Sequence, residues 1–320
     1  MRATAIAQPN IALIKYWGKR DLALNLPAVG SISITLRELF TEMQVEFDSS
    51  LKSDDLIVNG REHPAMLPRI SACLDRVAGD DRLCARVVSR SNFPIAAGLA
   101  SSASAFAAAT VAAAAAADKT ADTNELASLA GRASGSAARS LYGGFVELRN
   151  ANDDIEVGTL LAADAWPFTV VVAITATAPK PLGSTEAMEV SRKTSPFYAN
   201  WVEQQDRDLA AARDAILKRD FEKLAAIAEH NCLKMHSIMW ASRPPVVYWT
   251  SATMHCLQTV RRLQREGVAV FFTIDAGPQV KAVCLPDCAR QVREALLATD
   301  GVVETMVSEL GDGARVMDSA

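Results

Sequence analysis

Asn92-Phe-Pro-Ile-Ala-Ala-Gly-Leu-Ala-Ser-Ser-Ala-Ser104, residues 92–104, is a loop punctuated by Pro and Gly that runs into an alanine-rich segment, residues 105–117. Small residues at 96–98 let the backbone approach a ligand closely. Ser101 and Ser102 fall where a helix begins. The first N–H groups of a helix have no internal partners, and the helix dipole adds partial positive charge there. Such a nest suits phosphate. It is not a Walker A loop, because Gly-x4-Gly-Lys-Ser/Thr is absent. Taken alone, the stretch fits a plain loop with a serine N-cap equally well.

Outward from this stretch, composition sets the bounds. The chain has 320 residues, 50% hydrophobic, which is the edge of what one core holds and points to two domains. A net charge of −4, with no basic run, argues against nucleic acid. An anionic ligand therefore needs a local cationic pocket. The six cysteines include no C-x-x-C and the four histidines no H-E-x-x-H, so reduced thiols fit better than zinc. The first residues lack the apolar core of a signal peptide, and the alanine run is too short to span a bilayer. These features point to a soluble, cytoplasmic protein.

Before the loop the sequence is β-rich. Residues 3–6, 31–36, 41–47, 54–58 and 85–89 read as strands, the second half-buried and paired with the third. Asn59-Gly60 reads as a hairpin turn and residues 68–77 as a helix opened by Pro68. Residues 15–20 carry Lys15, Lys19 and Arg20 among Tyr16, Trp17 and Gly18, either a solvated surface or an anion pocket with apolar walls. After the loop, residues 124–132 read as a helix capped by Thr123 or Asn124. Then Ser134-Gly-Ser-Ala-Ala-Arg139 is either a flexible connector or a second anion site, with Arg139 as a planar fork. Residues 145–148 and 168–174 read as strands, the latter buried on both faces.

Residues 180–185 are the best linker. Residues 198–217, 221–236 and 246–265 then read as helices, 268–273 and 280–285 as strands, and 290–298 as a last helix. Asp275-Ala-Gly-Pro follows the first of those strands. Its carboxylate either fixes a turn or serves as a base at a strand end.

A cationic aromatic stretch, a phosphate nest, a Ser/Arg loop and a strand-end Asp are the parts that phosphoryl transfer needs. Asn10-Ile-Ala-x-x-Lys15-Tyr-Trp-Gly-Lys19-Arg-Asp, the 92–104 loop, Ser134-Gly-Ser-Ala-Ala-Arg139-Ser and Asp275-Ala-Gly-Pro resemble the mevalonate diphosphate decarboxylase family of the GHMP kinase superfamily. The resemblance runs from near Thr4 to near Leu285, with the motifs in family order. It implies an α+β, two-domain GHMP-kinase-like fold. A β-rich N-terminal nucleotide-binding domain would occupy residues 1–182 and a ferredoxin-like C-terminal α/β sandwich 183–320, with the site between them and closure over ATP. Val29, Gly30 and Gln279 depart from the family pattern.

The implied reaction is ATP-dependent decarboxylation of (R)-mevalonate 5-diphosphate to isopentenyl diphosphate, through 3-O-phosphorylation, with Mg²⁺. Nucleic acid and membrane are not implied as partners; homodimers are common in the family. On this resemblance Asp275 matches the catalytic aspartate and Lys15 the lysine near the reacting oxygens. Arg139 and Asn10 match the pair that holds the C1 carboxylate. Tyr16, Trp17, Gly18, Lys19, Arg69, Ser134, Gly135, Ser136, Ala137, Ala138 and Thr185 match or flank substrate contacts. Ala97, Gly98, Leu99, Ala100, Ser101, Ser102 and Ser104 match the ATP loop, with Ser102 also toward the γ-phosphate and Mg²⁺. His236 reads as structural. Rival readings are a kinase that stops at the phosphate, a monophosphate decarboxylase and a non-catalytic nucleotide-binding scaffold. Lys15, Arg139 and Asp275 together favour completed decarboxylation, and Lys19 with Arg69 favours the diphosphate.

Overall fold

Strict apolar–polar alternation along Thr41–Phe47 buries every second residue and leaves the others half-covered. That strand organises the first half of the molecule. The computed structural model describes residues 1–93, 101–176 and 182–317. In chain order, the first half contains β1 (Arg2–Ala7), β2 (Asn10–Ile14), β3 (Lys19–Asp21), β4 (Leu26–Pro27), β5 (Ser31–Thr35), β6 (Thr41–Phe47), β7 (Asp55–Val58), β8 (Arg61–Glu62) and α1 (Leu67–Ala78). There follow β9 (Ala85–Ser91), α2 (Ser101–Ala116), α3 (Thr123–Ala133), a 3-10 turn (Ala137–Leu141), β10 (Phe145–Ala151) and β11 (Asp154–Leu161). The second half contains β12 (Thr169–Ile174), α4 (Ser184–Thr194), α5 (Tyr198–Lys218), α6 (Phe221–Trp240), α7 (Ser251–Arg265), β13 (Val270–Ile274), β14 (Val280–Cys284), α8 (Ala289–Leu297), β15 (Glu304–Glu309) and β16 (Arg315–Val316).

A six-stranded sheet runs β16-β1-β6-β9-β7-β8, a four-stranded sheet β11-β10-β5-β2 and a second four-stranded sheet β13-β14-β12-β15; β3 and β4 form a short ribbon. Helix α2 lies against β1 and β6. It is apolar nearly all round, with 12 of its 16 residues buried. Alanine makes this close approach fit; a larger side chain there would overpack the core by about 1–3 kcal/mol. A second core joins the halves, packing Ile11, Ile32, Ile34 and Phe145 against Phe168, Val170, Leu209 and Phe271.

Several elements differ from the sequence expectation. β5 does not pair with β6; it pairs with β2 and β10, while β6 pairs with β1 and β9. Nor is β5 half-buried. Ser31 and Ser33, its polar face, are fully buried because their hydroxyls accept from the guanidinium of Arg139. The cap of α3 is Asp122, whose carboxylate accepts the Glu125 N–H at 2.8 Å. Residues 246–250 are not helical, because Thr250 forms a capping box with Thr253 and α7 begins at Ser251. The Asn59-Gly60 turn is present, both residues having positive φ, 49° and 79°. Strands β2, β3, β4, β11, β15 and β16 and helix α4 had no sequence reading, and the 180–181 part of the linker lies outside the described residues.

Strand pairing crosses the 182/183 division in both directions. β12 precedes it but pairs with β14 and β15, and β16 follows it but pairs with β1. Among the described residues no helix is long and apolar enough to cross a membrane.

Candidate active site

One cavity of about 1070 Å³ is lined by both halves of the chain. Asn10, Lys15, Tyr16, Trp17, Lys19, Arg69, Ser101, Ser102, Ser134, Gly135, Ser136, Arg139, Thr185 and Asp275 all face it. Among the described lining residues six are basic and three acidic, on a chain whose net charge is −4. This is the local cationic pocket that an acidic protein needs to hold an anionic ligand.

Lys15 follows β2, and Asp275 follows β13. Thr273 ties the two strands together by donating to the Ala12 carbonyl at 3.0 Å. The Lys15 Nζ donates to Asp275 Oδ1 at 2.7 Å and to the Ala12 carbonyl at 2.9 Å. Its backbone is held as well: its N–H donates to Asn231 Oδ1 at 2.8 Å, and its carbonyl accepts from Gln205 Nε2 at 2.7 Å. Lys15 is therefore buried, and the surface reading of 15–20 does not hold for it. Burial alone would push the Asp275 carboxyl up, but Lys15 and Lys281 hold it well below the usual carboxylate range.

Arg139 is buried in the 3-10 turn, which replaces the expected loop. Its Nε donates to Ser33 Oγ at 3.0 Å and its Nη2 to Asn10 Oδ1 at 3.1 Å. Asn10 in turn donates to Ser140 Oγ at 2.8 Å and the Ser136 carbonyl at 2.9 Å. Burial pushes the Arg139 guanidinium down to about 10, against the pull of Asp275 and Tyr16, so it stays charged at neutral pH. Every direct partner of this fork among the described residues is neutral, so its positive charge remains available to an anion.

Burial and the Arg69 guanidinium push Lys19 down, with Glu189 opposing. Its Nζ is 3.4 Å from Thr185 Oγ1. Arg69 stacks 4.7 Å above the Phe106 ring and is itself lowered by burial. Two cations that raise each other's energy mark a place for an anion. The buried Tyr16 hydroxyl has no hydrogen-bond partner among the described residues. Ser134 donates to Ser102 at 3.5 Å, joining the small-residue segment to the start of α2.

Other expected residues are placed elsewhere. Ala97, Gly98, Leu99 and Ala100 lie outside the described residues. Ala137 and Ala138 pack in the first core, and Ser104 is buried against Thr41. Gly18, at φ +106°, is covered by Tyr198, whose hydroxyl would lie 2.0 Å from an added Cβ. The departures have structural reasons. A Cβ on Gly30 would meet Leu209 and the Leu148 carbonyl at 2.7 and 2.9 Å. Gln279 accepts the Thr175 N–H at 2.6 Å, and Val29 fills a core. His236 is fully buried, its Nε2 3.1 Å from the Ile274 carbonyl, and burial pushes it down to about 3.

Sequence reasoning missed Asn231, Gln205 and Lys281, and the apolar wall formed by Met43, Leu56, Val58, Met66 and Ile70. The signal for Lys281 was available: a lone cation in the apolar strand Val280–Cys284 needs a partner. No comparable signal marks the wall, whose residues look like ordinary strand and helix positions.

No group of three or more His, Cys, Asp or Glu among the described residues could cage a metal. The serine hydroxyls at the start of α2 instead suit a hard cation that arrives bound to phosphates.

Residues 7–158 match the diphosphomevalonate decarboxylase-like N-terminal domain, and residues 170–312 match the mevalonate 5-diphosphate decarboxylase C-terminal domain. A diphosphomevalonate decarboxylase from Candida albicans is 34% identical over 310 residues, covering 90% of this chain and 85% of its own. The mevalonate diphosphate decarboxylase from Staphylococcus aureus has a similar structure, with a TM-score of 0.93 at 34% identity, covering 99% of this chain and 98% of its own. So does MDDEF in complex with MVAPP, AMPPCP and magnesium, with a TM-score of 0.92 at 30% identity over 100% and 99% of the two chains. With both domain matches in order and the likeness running the length of the chain, this protein belongs to the diphosphomevalonate decarboxylase family.

Proposed function

We propose that this protein catalyses the ATP-dependent decarboxylation of mevalonate 5-diphosphate to isopentenyl diphosphate, with ADP, phosphate and carbon dioxide as the other products. The observation that carries the reading is the Lys15–Asp275 pair, contributed by the two halves of the chain and facing the same cavity as the Arg139 fork. The complex of MDDEF with MVAPP, AMPPCP and magnesium supports it.

Arg139 and Asn10 hold the C1 carboxylate, while Lys19, Arg69, Tyr16 and Ser134 receive the diphosphate. Asp275 accepts the hydrogen bond of the 3-hydroxyl and aims its oxygen at the γ-phosphorus. ATP enters with magnesium, which offsets phosphate charge, and the start of α2 with Ser101 and Ser102 cradles the phosphates. The apolar wall around Met43, Leu56 and Met66 takes the adenine ring. The hydroxyl oxygen bonds to the γ-phosphorus as the bond to ADP breaks, its proton passes to an oxygen of the transferred phosphoryl group, and Lys15 stabilises the charge in transit. The C3–O bond then breaks, and phosphate leaves with its electron pair. The C1–C2 bond electrons become the new double bond, and carbon dioxide departs.

On this reading the first domain ends near β11, and the second, beginning at β12, delivers Asp275 to the first domain's site. The test supplies ATP and magnesium with mevalonate 5-phosphate or 5-diphosphate and follows ADP and carbon dioxide. Equal release of both from the diphosphate supports the proposal. ADP without carbon dioxide makes the protein a kinase, and turnover of the monophosphate alone overturns the substrate assignment.

A further inference from the structure

Lys281 sits in the middle of β14, paired to Val172 of β12 on one side and Thr273 of β13 on the other. It is fully buried. An ammonium group taken out of water costs several kcal/mol unless a charge meets it. Here that charge is Asp275: Lys281 Nζ lies 3.3 Å from Oδ2, while Lys15 Nζ lies 2.7 Å from Oδ1. The two lysines reach the carboxylate from different sheets, one oxygen each.

The torsion that rotates a carboxylate is soft. A single cation would leave Asp275 free to swing about its Cβ–Cγ bond. A cation on each oxygen fixes the plane of the group, and Asp275 lines the cavity. We infer that Lys281 is a positioning residue, which pins Asp275 as an oriented and permanently ionised acceptor for the substrate hydroxyl. The inference rests on the reading of Asp275 given above.

Among the described residues, few charged and titratable groups face Asp275. They are Lys15 after β2, Arg139 in the 3-10 turn, Lys281 on β14, and Cys232 and His236 on α6. Burial pushes the Cys232 thiol up and the His236 imidazole down, so both are neutral near pH 7. Among the described residues only cations therefore act on Asp275, and removing one makes it easier to protonate.

The experiment compares kcat and KM in wild type, Lys281→Met and Asp275→Asn, and the titration of the Asp275 carboxyl in the first two. Lys281→Met is expected to lower kcat about tenfold or more at pH 7.5, with the KM for mevalonate 5-diphosphate changed less than about threefold. The Asp275 carboxyl, followed by ¹³C NMR of aspartate-labelled protein, should titrate at least about one pH unit higher than in wild type. A purely structural role would scale the rate without moving that titration, and an Asp275 titration unchanged from wild type overturns the inference. Lys281→Gln carries the same expectation and replaces the Met variant if that fails to fold. For wild type itself, ¹³C NMR of aspartate-labelled protein, with the signal assigned by its loss in Asp275→Asn, should show a carboxylate still ionised at pH 5; titration above pH 5 overturns the inference. If Asp275→Asn turns over near the wild-type rate, the reading of Asp275 itself fails. If Asp275→Asn is inactive while Lys281→Met keeps the wild-type Asp275 titration, only the role of Lys281 fails.

Discussion

The ammonium of Lys15 and the carboxylate of Asp275 stand 2.7 Å apart although 260 positions separate them in the chain. Lys15 shows 1% of its side chain to solvent and Asp275 24%, so the pair is sealed on the lysine side and open on the acid side. Asp275 also lines the cavity, so the pair borders the space a ligand would fill. The pair makes the two halves of the molecule interdependent at the site.

Asp275→Asn keeps the shape of the side chain and removes its charge. Turnover should fall by about 10³-fold or more while the nucleotide still binds, because the serine segment at α2 is untouched. Steady-state kinetics, with a fluorescent ATP analogue titrated in parallel, checks both halves of the statement.

Arg139→Lys should not rescue function. The guanidinium donates to Ser33 and Asn10 in fixed directions, and an ammonium has no matching fork. We expect kcat/KM for mevalonate 5-diphosphate to drop about 10²-fold. Ser33→Ala removes one acceptor and should cost about 1 kcal/mol of stability, measured by urea unfolding.

Asn231→Ala strips the acceptor from the Lys15 N–H and a donor from Gln205 and Asp208. An unsatisfied buried group of this kind costs about 1–3 kcal/mol. Because Lys15 then shifts relative to Asp275, kcat should fall about tenfold or more as well. Urea unfolding and kcat together separate this from a plain loss of stability, which would leave the folded enzyme's rate unchanged.

His236 gives a pH prediction. Its folded pKa, about 3, lies below the ordinary value of 6.5. Between those values the unfolded chain binds a proton that the folded chain refuses, so stability falls as pH drops below about 6.5 and levels off near 3. His236→Gln removes this contribution. The difference in unfolding free energy between wild type and variant should move by a few kcal/mol between pH 7 and pH 4, with the wild type losing more. Urea titrations at pH 7, 6, 5 and 4 measure it; a difference that does not change with pH removes His236 from the acid response.

Local signals announced most of the elements. The alternation in β6, the Pro68 start of α1, the Asn59-Gly60 turn and the all-apolar β12 need only neighbouring residues, because propensity and periodicity are short-range effects. Motif chemistry likewise brought Lys15, Arg139 and Asp275 forward as candidates without any knowledge of distance. What required three dimensions was pairing and burial. The Ser-Ile-Ser-Ile-Thr repeat of β5 reads as a half-wet strand, yet its serines are dry because Arg139, more than 100 positions later, lies across them. The same holds for Lys281, Asn231 and Gln205. Whether a polar side chain faces water or a partner depends on contacts between segments remote in sequence, and only the folded chain brings those segments together.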